Sequence, residues 1–296
     1  MAWTADRFFW IVIVLLTGVV TLVFVQLRPA TPIATAMAAS HGRSAIKRAP
    51  PKKKTSHFSL RAQRKRRLIF SQVSGDQAFT RLGEPYPGDW LFSFQEPGQT
   101  IHEYGWQRPN HPIPEQRETL HLLPFDDLHS SQRALIAPLR RHTALFFGVK
   151  VAVLPKRQVL GRFYDKDRQQ YDADRIVRHL AQKVPINSLG IYSLARFGKE
   201  RGPLLKRALK LSAHEIGHMF GLKHCVFYEC VMNGVNSRAE MDRSPLHLCP
   251  VCLSKLQWNV KFDAVQRYRG LARFYREEGL EQEAAFAEAR AVELGG

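Results

Sequence analysis

At 296 residues, 45% hydrophobic and 24% charged, the chain has room for one sizeable domain with appendages. Its composition lies close to the globular average and excludes a wholly disordered or fibrous protein. The net charge of +18 is uneven: residues 1–75 hold thirteen Lys/Arg against one acid, Asp6, whereas residues 76–296 hold 31 bases and 25 acids. The excess is a basic segment joined to a mildly basic domain, which speaks against a nucleic-acid-binding fold.

After residues 1–7, twenty residues from Phe8 to Leu27 carry no charge. As a helix rising 1.5 Å per residue they reach about 30 Å, the thickness of a bilayer core. A transmembrane helix or signal anchor over residues 8–27, and a single-pass membrane location, are expected. A cleavable signal peptide is the alternative, with Ala34-Thr35-Ala36 or Ala36-Met37-Ala38 at the cut, but the apolar run exceeds the roughly 7–15 residues usual there. Arg28, Arg43, Lys47 and Arg48 follow the span, and the positive-inside rule then favours the cytoplasm for the rest of the chain. A signal peptide would place it outside instead.

Residues 28–67 read as a basic linker containing Pro29, Pro32, Pro50 and Pro51. Eleven Lys/Arg fall between Arg43 and Arg67, as in a solvated, disordered tether. Beside a membrane anchor, residues 43–67 would also attract anionic lipid headgroups, at about 1 kcal/mol per base. Only Phe58 is interleaved with these bases, so base stacking on nucleic acid is not expected.

A folded domain is expected over residues 68–261. Leu68-Ile69-Phe70 and Trp90 to Phe94 read as short strands, and the Pro- and Gly-rich text from Glu84 to Pro114 as loops. Residues 130–147 have apolar groups at helical spacing, and Val149 to Leu154 alternate toward a strand. Tyr171 to Ala181 read as a helix and Ile186 to Leu194 as a strand. This alternation implies an α+β class, a mixed α/β layer fold. Residues 262–296 read as a helical hairpin around Gly279, with apolar faces on both arms.

The helix expected from Leu204 to Phe220 carries the chemistry. Residues 214–224 read HEIGHMFGLKH and fit H-E-x-x-H-x-x-G-x-x-H at every fixed position. His214 and His218, four apart, project from one helix face and can meet one Zn²⁺. Gly221 can take the positive φ of a helix-ending turn, so that the chain reverses and delivers His224 as third ligand. Three protein ligands with an open fourth position suit a catalytic zinc, and Glu215 beside the first ligand can act as general base. Met232 follows at the place of a Met-turn, whose side chain floors the metal.

All four cysteines fall within 28 residues, as Cys225 and Cys230, then Cys249 and Cys252. Two short-spaced pairs suggest a structural Cys₄ zinc site, with two disulfides or free thiols as the alternative.

The run from His214 to Cys252, with HEIGHMFGLKHC, CVMNG and EMDRSPLHLCPVC, resembles the archaemetzincin (archaelysin) family of metzincin zinc metallopeptidases. The resemblance implies a metzincin-like catalytic domain with a mixed sheet, an active-site helix and a Met-turn at Met232. It also implies two Zn²⁺: one catalytic on His214, His218 and His224 with Glu215 as base, one structural on Cys225, Cys230, Cys249 and Cys252. A peptide or protein substrate follows. The membrane span and basic linker depart from the family's pattern. The competing expectation is a non-catalytic, zinc-stabilised, membrane-tethered module that binds peptides.

Overall fold

The computed structural model describes residues 10–15, 78–113, 118–124, 130–156, 163–165, 170–171, 175–176, 178, 189–194 and 197–295. In chain order the elements are β1 (Trp10–Leu15), α1 (Trp90–Ser93), α2 (Ile101–Trp106), β2 (Thr119–Pro124), α3 (Ser130–Arg133), α4 (Ile136–Phe147) and β3 (Lys150–Val153). There follow β4 (Tyr164–Asp165), β5 (Gln170–Tyr171), β6 (Leu189–Ser193), α5 (Arg201–Met219), α6 (Arg238–Arg243), α7 (Pro250–Val260), α8 (Ala264–Glu277) and α9 (Glu281–Glu293).

Four strands form one sheet in the order β3-β2-β1-β6, and every neighbouring pair is parallel. A mixed sheet was expected; among the described residues, antiparallel strand pairing is confined to β4 with β5. Parallel neighbours cannot be joined by a tight hairpin, and α3 and α4 supply the crossover between β2 and β3.

Beyond Ile101–Trp106, expected as loop but forming α2, and Tyr171, expected in a helix but lying in β5, two readings need correction. Trp10–Leu15 form not a turn of membrane helix but an inner strand, in register with Leu120 to Pro124 on one side and Leu189 to Ser193 on the other. Their sequence, WIVIVL, is rich in β-branched residues, and a short apolar run fits a strand covered on both faces as well as it fits a buried helix. Among the described residues no helix is long and apolar enough to cross a membrane. The rest of the 8–27 run, the linker over 28–67 and the Leu68–Phe70 strand lie outside the described residues. The second correction concerns Trp90–Ser93, a single helical turn rather than a strand. Its first backbone N–H donates to Glu240 Oε1 at 2.9 Å, a contact made 150 positions away that overrides local β preference.

One core joins the sheet side to the C-terminal helices. Phe146 and Phe147 of α4 are buried with Leu204, Leu205 and Leu209 of α5 and Tyr268, Leu271 and Phe274 of α8. Phe147 stacks on Phe220, with ring centroids 5.2 Å apart and planes within 13°. The α8 and α9 arms flank Gly279 as expected, and Ala284, Ala287 and Ala291 give α9 a small-residue face toward the core. Between α4 and α8 lies a polar contact: His142 Nε2 is 3.0 Å from the Tyr275 hydroxyl, and Arg267 Nε donates to the Phe146 carbonyl at 2.7 Å.

Burial, and secondarily the Arg267 charge, hold His142 down at about 3. The unfolded chain therefore takes up this proton first, and stability present above about pH 6.5 is lost as pH falls toward 3, at about 1.4 kcal/mol per pH unit. Denaturant unfolding at pH 6.5 and pH 5 should show wild type losing about 1–2 kcal/mol more than His142→Gln. Equal losses would rule out this group as the source.

Candidate metal centre

Helix α5 places the centre. Pro203 sits in its first turn, where a missing N–H is tolerated, and thirteen of its nineteen residues are buried, including His214 and Glu215. The helix ends where Gly221, at φ 83°, donates to the His218 carbonyl at 2.8 Å, and the Leu222 N–H reaches the Gly217 carbonyl at 3.0 Å. This double bond pattern is the Schellman stop. A Cβ at Gly221 would also come within 2.8 Å of Pro109 Cβ. The reversed chain then presents His224, and the Cys225 N–H donates to the Met232 carbonyl at 2.8 Å. Met232 is fully buried beneath the helix, and its Sδ would lie 2.5 Å from a Cβ at Gly217. Only glycine lets the two approach so closely.

The three imidazoles converge, with one nitrogen from each within 4.8 Å of the others. His214 Nδ1 is 2.9 Å from the Val231 carbonyl, His218 Nδ1 is 2.7 Å from the Leu222 carbonyl, and His224 Nδ1 is 3.0 Å from both Glu96 carboxylate oxygens. These oxygens accept and do not donate, so each Nδ1 carries its ring's proton. Burial, then the neighbouring histidines, keep His214 and His218 neutral by pushing them well below the usual imidazole range. Their Nε2 atoms therefore face each other at 2.9 Å with lone pairs and no proton between them. Such an arrangement repels itself unless a cation draws both pairs. Tetrahedral zinc at about 2.0–2.1 Å from each nitrogen suits this donor set.

Glu215 is buried, and its Oε1 has no hydrogen-bond partner. Burial raises its carboxyl to about 8, the direction that a nearby divalent cation would reverse. The residues present thus fit a metal at the histidines with a base beside it.

The four cysteines gather as a second cluster. All are buried, none is in a disulfide, and their sulfurs lie within 4.8 Å of one another. Cys225 Sγ and Cys249 Sγ are 3.5 Å apart, about the separation that tetrahedral zinc at 2.3 Å from each sulfur requires. Backbone N–H groups of Cys249 and Cys252 point at Cys230 Sγ and Cys249 Sγ, at 3.3 and 3.4 Å. The Asn233 amide ties the loop together, accepting from the Cys230 N–H at 2.7 Å and donating to the Cys225 and Tyr228 carbonyls.

His214, His218 and His224 converge, as do the four cysteines, with Glu215 and Met232 against the histidines and Gly221 in the turn between His218 and His224. Sequence reasoning missed Glu96, Trp90 and Asn233. Trp90 meets the His224 ring edge-on, at 5.1 Å between centroids. Nothing in local spacing marks Glu96, which lies 128 positions before its histidine.

Removing Glu96 should free the His224 ring. Glu96→Ala should weaken zinc at the histidines about 10- to 100-fold in chelator competition, while the cysteine cluster keeps its metal. An unchanged affinity would show that Glu96 does not hold the ring.

The model for Peptidase family M54 matches residues 154–258. Archaemetzincin-2 of Homo sapiens is 52% identical over 75 residues, 25% of this chain and 21% of that protein. The chain thus spans about a fifth of the length of the archaemetzincin-2 relatives it matches. The archaemetzincin of Archaeoglobus fulgidus is 32% identical over 136 residues, covering 38% of this chain and 84% of that protein. Among solved structures, the archaemetzincin of Methanopyrus kandleri matches at 26% identity and a TM-score of 0.43, over 49% of this chain and 96% of that one. On the extent of the Archaeoglobus match, with the His214–Cys252 run inside the family region, the chain belongs to the archaemetzincins, peptidase family M54.

Proposed function

We propose that the chain is a zinc-dependent peptidase that hydrolyses peptide bonds of peptide or protein substrates. It holds a catalytic Zn²⁺ at His214, His218 and His224 and a structural Zn²⁺ at Cys225, Cys230, Cys249 and Cys252. The observation that carries this reading is the convergence of three imidazoles, two with Nε2 atoms facing at 2.9 Å and no proton between them, beside the buried Glu215 carboxyl with an unpartnered oxygen. When bound, zinc supplies a Lewis acid for the peptide carbonyl and lowers the pKa of water.

The chain's own residues do the rest. Glu215 takes the proton of the attacking water and hands it to the leaving nitrogen. Val231, Leu222 and Glu96 hold the three rings by their Nδ1 protons, so the lone pairs need no reorientation. Met232 fixes the depth of the helix beneath them. A structural module that binds peptides would need no base, which is why the buried Glu215 favours the enzyme over that reading.

Glu215→Gln should lower turnover of a peptide library about 10²–10⁴-fold with two zincs per chain retained, whereas His218→Ala should leave one. Full activity in Glu215→Gln would remove the base assignment. A His218→Ala protein that kept all its zinc would remove the histidine site.

Membrane attachment through residues 8–27 belongs to the same proposal, with the peptidase on the cytoplasmic side and residues 43–67 on anionic headgroups. Its support is the uncharged run of twenty residues and the basic text after it. In this arrangement β1 leaves the sheet for the bilayer. Because β2 and β6 are each parallel to β1, they are parallel to each other and can pair directly. The full chain should then sediment with membranes, and a chain starting at Arg28 should stay soluble and keep its zinc. Aggregation or zinc loss in the shorter chain would make β1 an obligatory strand and end the membrane reading.

A further inference from the structure

Beside the histidines lies a pocket whose wall includes His214, His224 and Glu215. Trp90, Leu211, Val235, Met241 and Pro245 give it an apolar lining. One cation is built into this wall: Lys210, one helical turn before His214.

Lys210 is only 3% exposed, and its Nζ donates to the carbonyls of Met241 at 2.8 Å and Asp242 at 3.1 Å. The ammonium therefore sits at the Met241 end of the pocket. It has three N–H groups, and these bonds use two. Neither reaches a carboxylate. The Asp242 side chain is already engaged, its two oxygens receiving Arg207 Nε at 2.8 Å and Nη2 at 2.7 Å. Burial, then the Lys206 charge, lower Lys210 to about 8, which leaves it charged at neutral pH. The direct hydrogen bonds on this buried cation go to neutral carbonyls, while Asp242 and Glu283 act on it through their charge alone, so an arriving carboxylate would be its first directly bonded ionic partner.

The pocket's place relative to the chemistry follows from Glu215, which both lines it and protonates the leaving nitrogen. It therefore lies on the side of the residue that contributes that nitrogen. We propose that this pocket receives the side chain of that substrate residue and that Lys210 makes it select a carboxylate there, an aspartate or glutamate. The inference rests on the peptidase reading for its placement. Its chemistry, a carboxylate at Lys210, could also be met by the free carboxyl terminus of a short peptide.

The test measures binding rather than cleavage, by calorimetry on the zinc-loaded full chain with dipeptides that cleavage would release, whose first residue carries the freed nitrogen: Glu-Ala amide, Leu-Ala amide and Leu-Ala as the free acid. Glu-Ala amide should bind at least tenfold more tightly than Leu-Ala amide, and the margin should vanish in Lys210→Met. Equal binding of the two amides, or a preference for leucine, would overturn the proposal from wild type alone, whatever the variant's fold. Tight binding of the free acid alone would assign Lys210 to the peptide terminus and overturn the side-chain preference. An acid preference without cleavage of any library peptide would support the pocket and remove the peptidase reading.

Discussion

Each of the three imidazoles gives its Nδ1 proton to an oxygen on the side away from the metal position, and the rest of the centre depends on those three hydrogen bonds. The three acceptors come from different parts of the chain: the Val231 carbonyl beside Met232, the Leu222 carbonyl just past the helix stop, and the Glu96 carboxylate. Helix spacing alone would put His214 and His218 on one face without fixing the spin of either ring. With the outer nitrogens engaged, the inner ones of His214 and His218 face each other unprotonated, and the His224 ring is held toward them. The tautomers are fixed by the fold before any ion arrives.

That requirement explains why segments far apart in sequence are drawn to the same place. The stretch around α1 is held to the segment after Met232 at several points. Glu240 accepts the Trp90 and Asn236 N–H groups, Arg243 pairs with Asp89 at 2.6 Å, and Gly234 is bare enough for the Trp90 ring to lie against its backbone. These contacts carry Glu96 to His224 and Trp90 to the pocket wall. The family-matched region supplies the ligands, while residues before it supply the brace and one wall of the cleft.

What could be read in advance was what local geometry dictates. The four-residue interval of His214 and His218, the glycine at 221 and the paired cysteines are short-range patterns, although the cysteines alone leave metal binding and disulfides both open. The C-terminal hairpin was legible for the same reason. Glu96 was not, because a lone carboxylate in a Pro- and Gly-rich stretch has no periodic signature. Trp90–Ser93 were misread because their helical turn is set by a partner 150 positions away. Trp10–Leu15 show a different limit: a run of Ile and Val satisfies a buried strand and an apolar helix equally, and only its neighbours decide.

His224 and Cys225 are adjacent, so the third nitrogen ligand and the first sulfur ligand hang from one peptide unit, and Asn233 knots the loop that follows. The geometry that fixes one cluster therefore also limits the other: moving the Cys225 sulfur moves the His224 ring with it, through a single peptide unit.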